Sequence, residues 1–132
     1  MLIIRATQMG LDMYAYAAAE PNASWRDNNA HREIAYWRKH PNLHGWMEQL
    51  WISKGEHQPS DDPMFNGVEL ELTWEDLDRL EADIKANQLP HTTGFFFGSP
   101  SDDYYREQDL EFVQKARAEI FTGLKVFYNS SW

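Results

Sequence analysis

Hydrophobic and polar residues alternate in some stretches of this chain and recur at three- and four-residue steps in others. Leu11, Met13, Ala15 and Ala17 alternate with Asp12, Tyr14 and Tyr16, which predicts a first strand over about 10–18. A strand there gives Asp12, Tyr14 and Tyr16 a common face. Residues 1–8 ahead of it are weakly β-like and read as an N-terminal extension. Glu20 to Asn29, with Pro21, three Asn and Ser24, is a loop. From Ala30, Ile34, Trp37 and Arg38 recur at helical steps, so a helix is expected up to His40. Pro41 lacks an N–H and disfavours α geometry in the residue before it, which sets a boundary at His40. As the first residue of a second helix, Pro41 is well placed. Leu43, Trp46/Met47 and Leu50/Trp51 supply the buried stripe of that helix, which runs to about Ile52. A polar loop over 55–63 follows.

Val68, Leu70 and Leu72 alternate with Glu69 and Glu71, a half-buried strand. Thr73 and Asp76 form a capping box, so a helix starts at Trp74. It buries Leu77, Leu80 and Ile84 and is ended by Pro90. Gly94-Phe95-Phe96-Phe97-Gly98 reads as a short buried strand. A helix capped by Ser99 or Ser101 turns Leu110, Val113, Ala116/Arg117 and Ile120 inward, and Gly123 closes it. Leu124–Tyr128 is the last strand. The predicted order is β-α-α-β-α-β-α-β. This is a single α+β domain over 1–132, with a small, mainly antiparallel sheet of about four strands packed by three to four helices.

Composition narrows the chemistry. The 132 residues are 42% hydrophobic and 14% aromatic, enough for one real core. With no cysteine, thiol catalysis, disulfides and Cys-based zinc sites are excluded. Apolar runs fall far short of the roughly 20 residues needed to span a bilayer, and a cytoplasmic setting is expected. Net charge is −9. Residues 60–111 hold fourteen Asp/Glu against Arg79, Lys85 and Arg106, a net −11, while the remainder carries +2. Such a surface repels nucleic-acid phosphates and attracts a basic protein. Its plainer reading is a solvated helical face.

The densest chemistry lies in Tyr36-Trp37-Arg38-Lys39-His40-Pro41-Asn42-Leu43-His44-Gly45-Trp46. Met-Gly-Leu-Asp-Met-Tyr at 9–14, this segment, Leu-Pro-x-Thr-x-Gly-Phe-Phe-Phe-Gly at 89–98 and Ser-x-Trp at 130–132 together resemble a family of small uncharacterised bacterial and phage proteins. The resemblance spans nearly the whole chain and implies an accessory or host-interaction role. Relatives begin at the position of Met9. Some are labelled phosphoglycerate kinase. The residues give that label no support, because the chain is far too short and has no Gly-x-x-x-x-Gly-Lys-Ser/Thr loop.

Four readings of function follow. A metal site could use His40 and His44 at i, i+4, but Pro41 separates them and no His-Glu-x-x-His pattern is present. An enzyme would need a nucleophile or a pair of carboxylates in contrasting environments, and no Gly-x-Ser-x-Gly elbow exists. No cofactor, metal or catalytic residue is therefore assigned. A binding pocket is the sharper expectation. Arg38 offers a fork for phosphate or carboxylate, Lys39 a point charge, Trp37 and Trp46 stacking faces beside Tyr36, and His44 a proton donor or acceptor. Asp12, Tyr14, Tyr128 and Trp132 would complete it, and a small anionic, nucleotide-like molecule would suit it. The competing reading puts Trp37 and Trp46 in the core. The alternative function is an acidic interaction module, of phage anti-defence or nucleic-acid-mimic type, that meets a basic host protein through 60–111.

Overall fold

The computed structural model describes residues 10–20, 31–55, 65–92 and 102–132. The alternation after Gly10 becomes strand β1 (Asp12–Ala18), with Met13 and Ala15 fully buried. β1 pairs antiparallel with β2 (His31–Arg38) on one side and with β4 (Lys125–Ser131) on the other. β4 also pairs antiparallel with the short β3 (Leu70–Leu72), giving the order β2-β1-β4-β3. Among the described residues three helices join this sheet, α1 (Pro41–Ser53), α2 (Trp74–Lys85) and α3 (Asp102–Phe121). The architecture is α+β, with a four-stranded antiparallel sheet and three helices among the described residues. Among the described residues no helix is long and apolar enough to cross a membrane.

The chief correction concerns 31–38, which is an edge strand and not a helix. The residues Ile34, Tyr36 and Trp37 are β-branched or aromatic and favour a pleated surface. A bulge explains the misleading spacing: Ala15 faces Ala35, but Tyr16 faces Glu33, so one extra residue interrupts the alternation. Beyond the bulge the pattern is strict. Trp37 turns inward with Met13, while Tyr36 and Arg38 share the opposite face with Tyr14 and Asp12.

Helix boundaries follow local chemistry. Pro41 occupies the first turn of α1, and Leu43, Trp46, Met47, Leu50 and Trp51 are buried as expected. Lys39 turns the chain between β2 and α1 at φ 56°, its N–H donating to Leu11 O at 2.8 Å. Thr73 and Asp76 form the reciprocal capping box of α2. Burial of Leu77, Leu80 and Ile84 then outweighs it, at about 1.5–3 kcal/mol per side chain against about 1 for a cap. The helix ends at Lys85, ahead of Pro90, with Ala86 as its C-cap. Asn87 is left-handed (φ 56°), and the Asn87 and Gln88 N–H groups donate to Ile84 O and Asp83 O. Gly123 closes α3 in the same way, with Leu124 N–H reaching Glu119 O.

The core lies on one face of the sheet. Met13, Ala15, Trp37, Leu70, Leu72, Val126 and Tyr128 meet residues of all three helices there. In α3 the fully buried apolar residues are Phe112, Val113 and Ala116, whereas Leu110 and Ile120 are partly buried and Arg117 makes ion pairs. The inward stripe is thus turned from the expected one. β4 runs three residues further than expected, to Ser131. On the opposite face Tyr16, Ala18 and Phe127 form a small buried cluster, where the Tyr16 hydroxyl donates to Glu69. The expected strand at 94–98, the caps at Ser99 or Ser101 and the extension 1–8 lie outside the described residues.

Candidate functional site

β2 sends neighbouring residues to opposite sides of the sheet, and this divides the segment 36–46. Trp37 is fully buried, and its Nε1–H donates to Asp109 Oδ1 at 2.8 Å. The second oxygen of Asp109 accepts from His40 Nε2 at 2.8 Å, so Nε2 carries the proton. Trp37 also packs edge-on against Phe112 at 5.0 Å, and His40 stacks on Tyr105 at 4.7 Å. Tyr105 in turn brackets the backbone of Arg38, donating to its carbonyl at 2.7 Å and accepting from its N–H at 3.2 Å. These groups tie β2 and the start of α1 to α3. Trp37 belongs to the core and cannot touch a ligand.

Asp12, Tyr14, Tyr36 and Arg38 gather on the other face. Asp12 Oδ1 accepts from the Tyr36 hydroxyl at 2.7 Å and from Arg38 Nη1 at 3.1 Å. The Tyr14 and Tyr36 rings lie 5.3 Å apart. Asp12 raises the Arg38 pKa further and, through its hydrogen bond, raises that of Tyr36. Desolvation and then the Asp12 charge raise the Tyr14 pKa. Both phenols therefore keep their protons at neutral pH. Arg38 remains 45% exposed at its side chain.

Gly10 permits this arrangement. It is left-handed (φ +53°), and a Cβ there would lie 2.7 Å from Arg38 Nη2 and 3.4 Å from Lys39 Cε. Both cationic side chains thus run over the bare glycine. Asp12 fixes one amino group of the Arg38 fork, while the other lies beside Gly10.

The remaining expected residues form separate groups. His44 is buried in α1, stacked on Phe65 at 5.2 Å, with Nδ1 2.6 Å from the Tyr128 hydroxyl. Burial pushes the His44 pKa down to about 4 and that of Tyr128 well up, so the phenol donates to a neutral imidazole. Trp132 meets His44 edge-on at 6.1 Å, and its Nε1–H donates to Phe65 O at 3.0 Å. Trp46 is nearly buried and donates to Asp83 at 2.8 Å, tying α1 to α2. Gly45 lets Thr92 approach so closely that a Cβ would sit 1.8 Å from its Oγ1. Trp37, His44, Trp46, Tyr128 and Trp132 therefore do not join Asp12, Tyr14, Arg38 and Lys39 in one pocket.

Several of the described acids of this stretch are engaged from within the fold. Asp76 is held by Lys54 at 2.7 Å and Arg79 at 2.6 Å. Burial pushes its pKa up, but the hydrogen bonds from Lys54, Thr73 and Arg79 prevail and lower it. Arg117 binds Asp78 at 2.6 Å and Glu81 at 3.1 Å, and lies 5.8 Å from the Trp74 ring. Together with Glu69, Asp83 and Asp109, these acids staple elements together. Glu71, Glu75, Glu107 and Glu111 remain on exposed or half-buried surface.

Two contributors escaped sequence reasoning. Asp109 lies 69 and 72 positions from its partners, and no local pattern announces it. Gly10 had a signal, a glycine directly before an alternating strand. Among the described residues no three His, Asp or Glu side chains gather to hold a metal. Comparison with family models, curated proteins and solved structures returns no match to this chain.

Proposed function

We propose that the protein binds a small anionic aromatic molecule, nucleotide-like in chemistry, at the surface formed by Gly10, Arg38 and Lys39 beside Tyr36 and Tyr14. The observation that carries this reading is the passage of both cationic side chains over Gly10, next to an exposed aromatic ring. Arg38 supplies a planar fork and Lys39 a point charge, which suit phosphate or carboxylate oxygens. Asp12 orients the fork and the phenols offer hydrogen bonds and a stacking face. The role is that of an accessory binding protein, as the resemblance to bacterial and phage proteins implies, and the absence of cysteine suits the cytoplasm.

Thermal shift against a panel of nucleotides tests it. A ligand at 100 times its Kd stabilises the fold by about 2.7 kcal/mol. Arg38→Ala removes that shift, and Gly10→Ala reduces it by driving a methyl group into the guanidinium. The reading is overturned if no nucleotide shifts the protein, or if the shift survives Arg38→Ala.

A further inference from the structure

Between β2 and α3 lies a groove of about 560 Å³. Phe112, Ile34 and Ala35 supply its apolar lining, and Tyr36 and Tyr104 stand beside them. Tyr36 is 43% exposed and Tyr104 is 81% exposed, although most described aromatics are buried. The remaining wall comes from α3, where Glu107 and Glu111 sit one turn apart. Lys115 answers Glu111 at 3.0 Å, whereas Glu107 makes no ion pair among the described residues. The groove thus combines apolar walls, two accessible phenol rings and a net negative rim.

Among the described residues β2 is an edge strand, and an exposed edge commonly accepts another strand. Here that route is closed at its C-terminal end. Gln108 Nε2 donates to Tyr36 O at 2.6 Å, and Tyr105 engages both backbone groups of Arg38. At that end an occupant therefore enters through its side chains. A second copy of the chain is disfavoured, because two molecules of charge −9 repel.

We infer that this groove receives an arginine-bearing segment of a basic protein partner. A guanidinium is planar and weakly hydrated. It can lie on a tyrosine face while its edge pairs with a carboxylate, whereas the more strongly hydrated lysine ammonium gains less from stacking. The apolar lining takes the methylene stem of the same residue. The overall negative charge draws such a partner in and speeds its docking.

Fluorescence anisotropy with two labelled peptides of equal charge, one alternating glycine and arginine and one alternating glycine and lysine, tests this on the full chain. The arginine peptide binds about tenfold more tightly than its lysine counterpart. Tyr104→Ala and Glu107→Gln each weaken it several-fold, and both side chains are exposed enough to leave the fold intact by circular dichroism. Glu75→Gln, which removes the same charge from α2, leaves binding unchanged. Equal affinity for both peptides overturns the inference, as does an equal loss in Glu75→Gln and Glu107→Gln, which would reduce the effect to overall acidity. A dimer in sedimentation whose formation excludes the peptide overturns it in favour of a second copy.

Discussion

Trp37 and Arg38 are consecutive residues of one strand, yet they belong to different regions of the molecule. On the inner side the polar atoms of Trp37, His40 and Asp109 are matched within the fold, and each side chain is shielded from water. On the outer side Asp12 gathers Tyr36 and Arg38, but the guanidinium stays partly in solvent with Lys39 beside it. Density of functional-looking groups along the chain does not distinguish the two. What distinguishes them is whether hydrogen-bonding capacity is used up internally or still presented outward.

The largest expected effect comes from the inner side. Trp37→Ala removes a buried indole and leaves Asp109 short of a donor, costing about 3–5 kcal/mol in urea unfolding. Arg38→Ala, across the same strand, costs less than about 1 kcal/mol because its ion pair with Asp12 is partly solvated. Equal losses would erase the contrast.

Next in size is a pH effect at His44. Its pKa in the fold is about 4, below the unfolded value of about 6.5. As pH falls, the unfolded chain takes up the proton first. Stability is therefore fully present above about pH 6.5 and falls by roughly 3 kcal/mol on the way to about pH 4. Asp76, whose pKa is lowered in the fold, adds a further loss only below about pH 3.9. Urea midpoints between pH 7 and 4 follow the decline, and His44→Gln flattens it. A wild-type protein with no slope in this window would contradict the burial of a neutral imidazole.

Gly45→Ala comes third, at about 1–3 kcal/mol, since the added methyl overlaps Thr92. Pairing it with Thr92→Gly recovers part of the loss, as a double-mutant cycle would show. A small change is expected for Tyr36→Phe. It deletes one hydrogen bond to Asp12 on exposed surface, costs about 0.5–1.5 kcal/mol at most and leaves the inner network intact. A melting-temperature drop matching that of Trp37→Ala would show that the two sides are coupled.

Features written in neighbouring residues were legible from sequence. Pro41 opens α1, Thr73 and Asp76 cap α2, and Gly123 closes α3, because each acts within one helical turn. β2 was misread because its bulge places Ile34, Trp37 and Arg38 at helical intervals, although only the sheet register decides which way they face. The expected site shared that fault. A helix would have set Trp37 and Arg38 about 100° apart around its axis, whereas a strand sends them to opposite faces. The occupation of Asp109 by partners some seventy positions away could not be read locally, and the same holds for the meeting of Gly10 with Arg38.

The strand order has a consequence for how the fold is reached. β4 is the last strand in sequence but an inner strand of the sheet, bonded to β1 on one side and β3 on the other. β1 and β2 can pair early, across a short connection. β3 has no strand neighbour until β4 inserts, and β4 meets β1 across more than a hundred residues. The transition state must therefore close a long loop before the sheet gains its full hydrogen bonding, which places this chain among the slower folders for its size. Substitutions in β4 should slow refolding more than equally destabilising ones in α2, whose cap and apolar stripe are local.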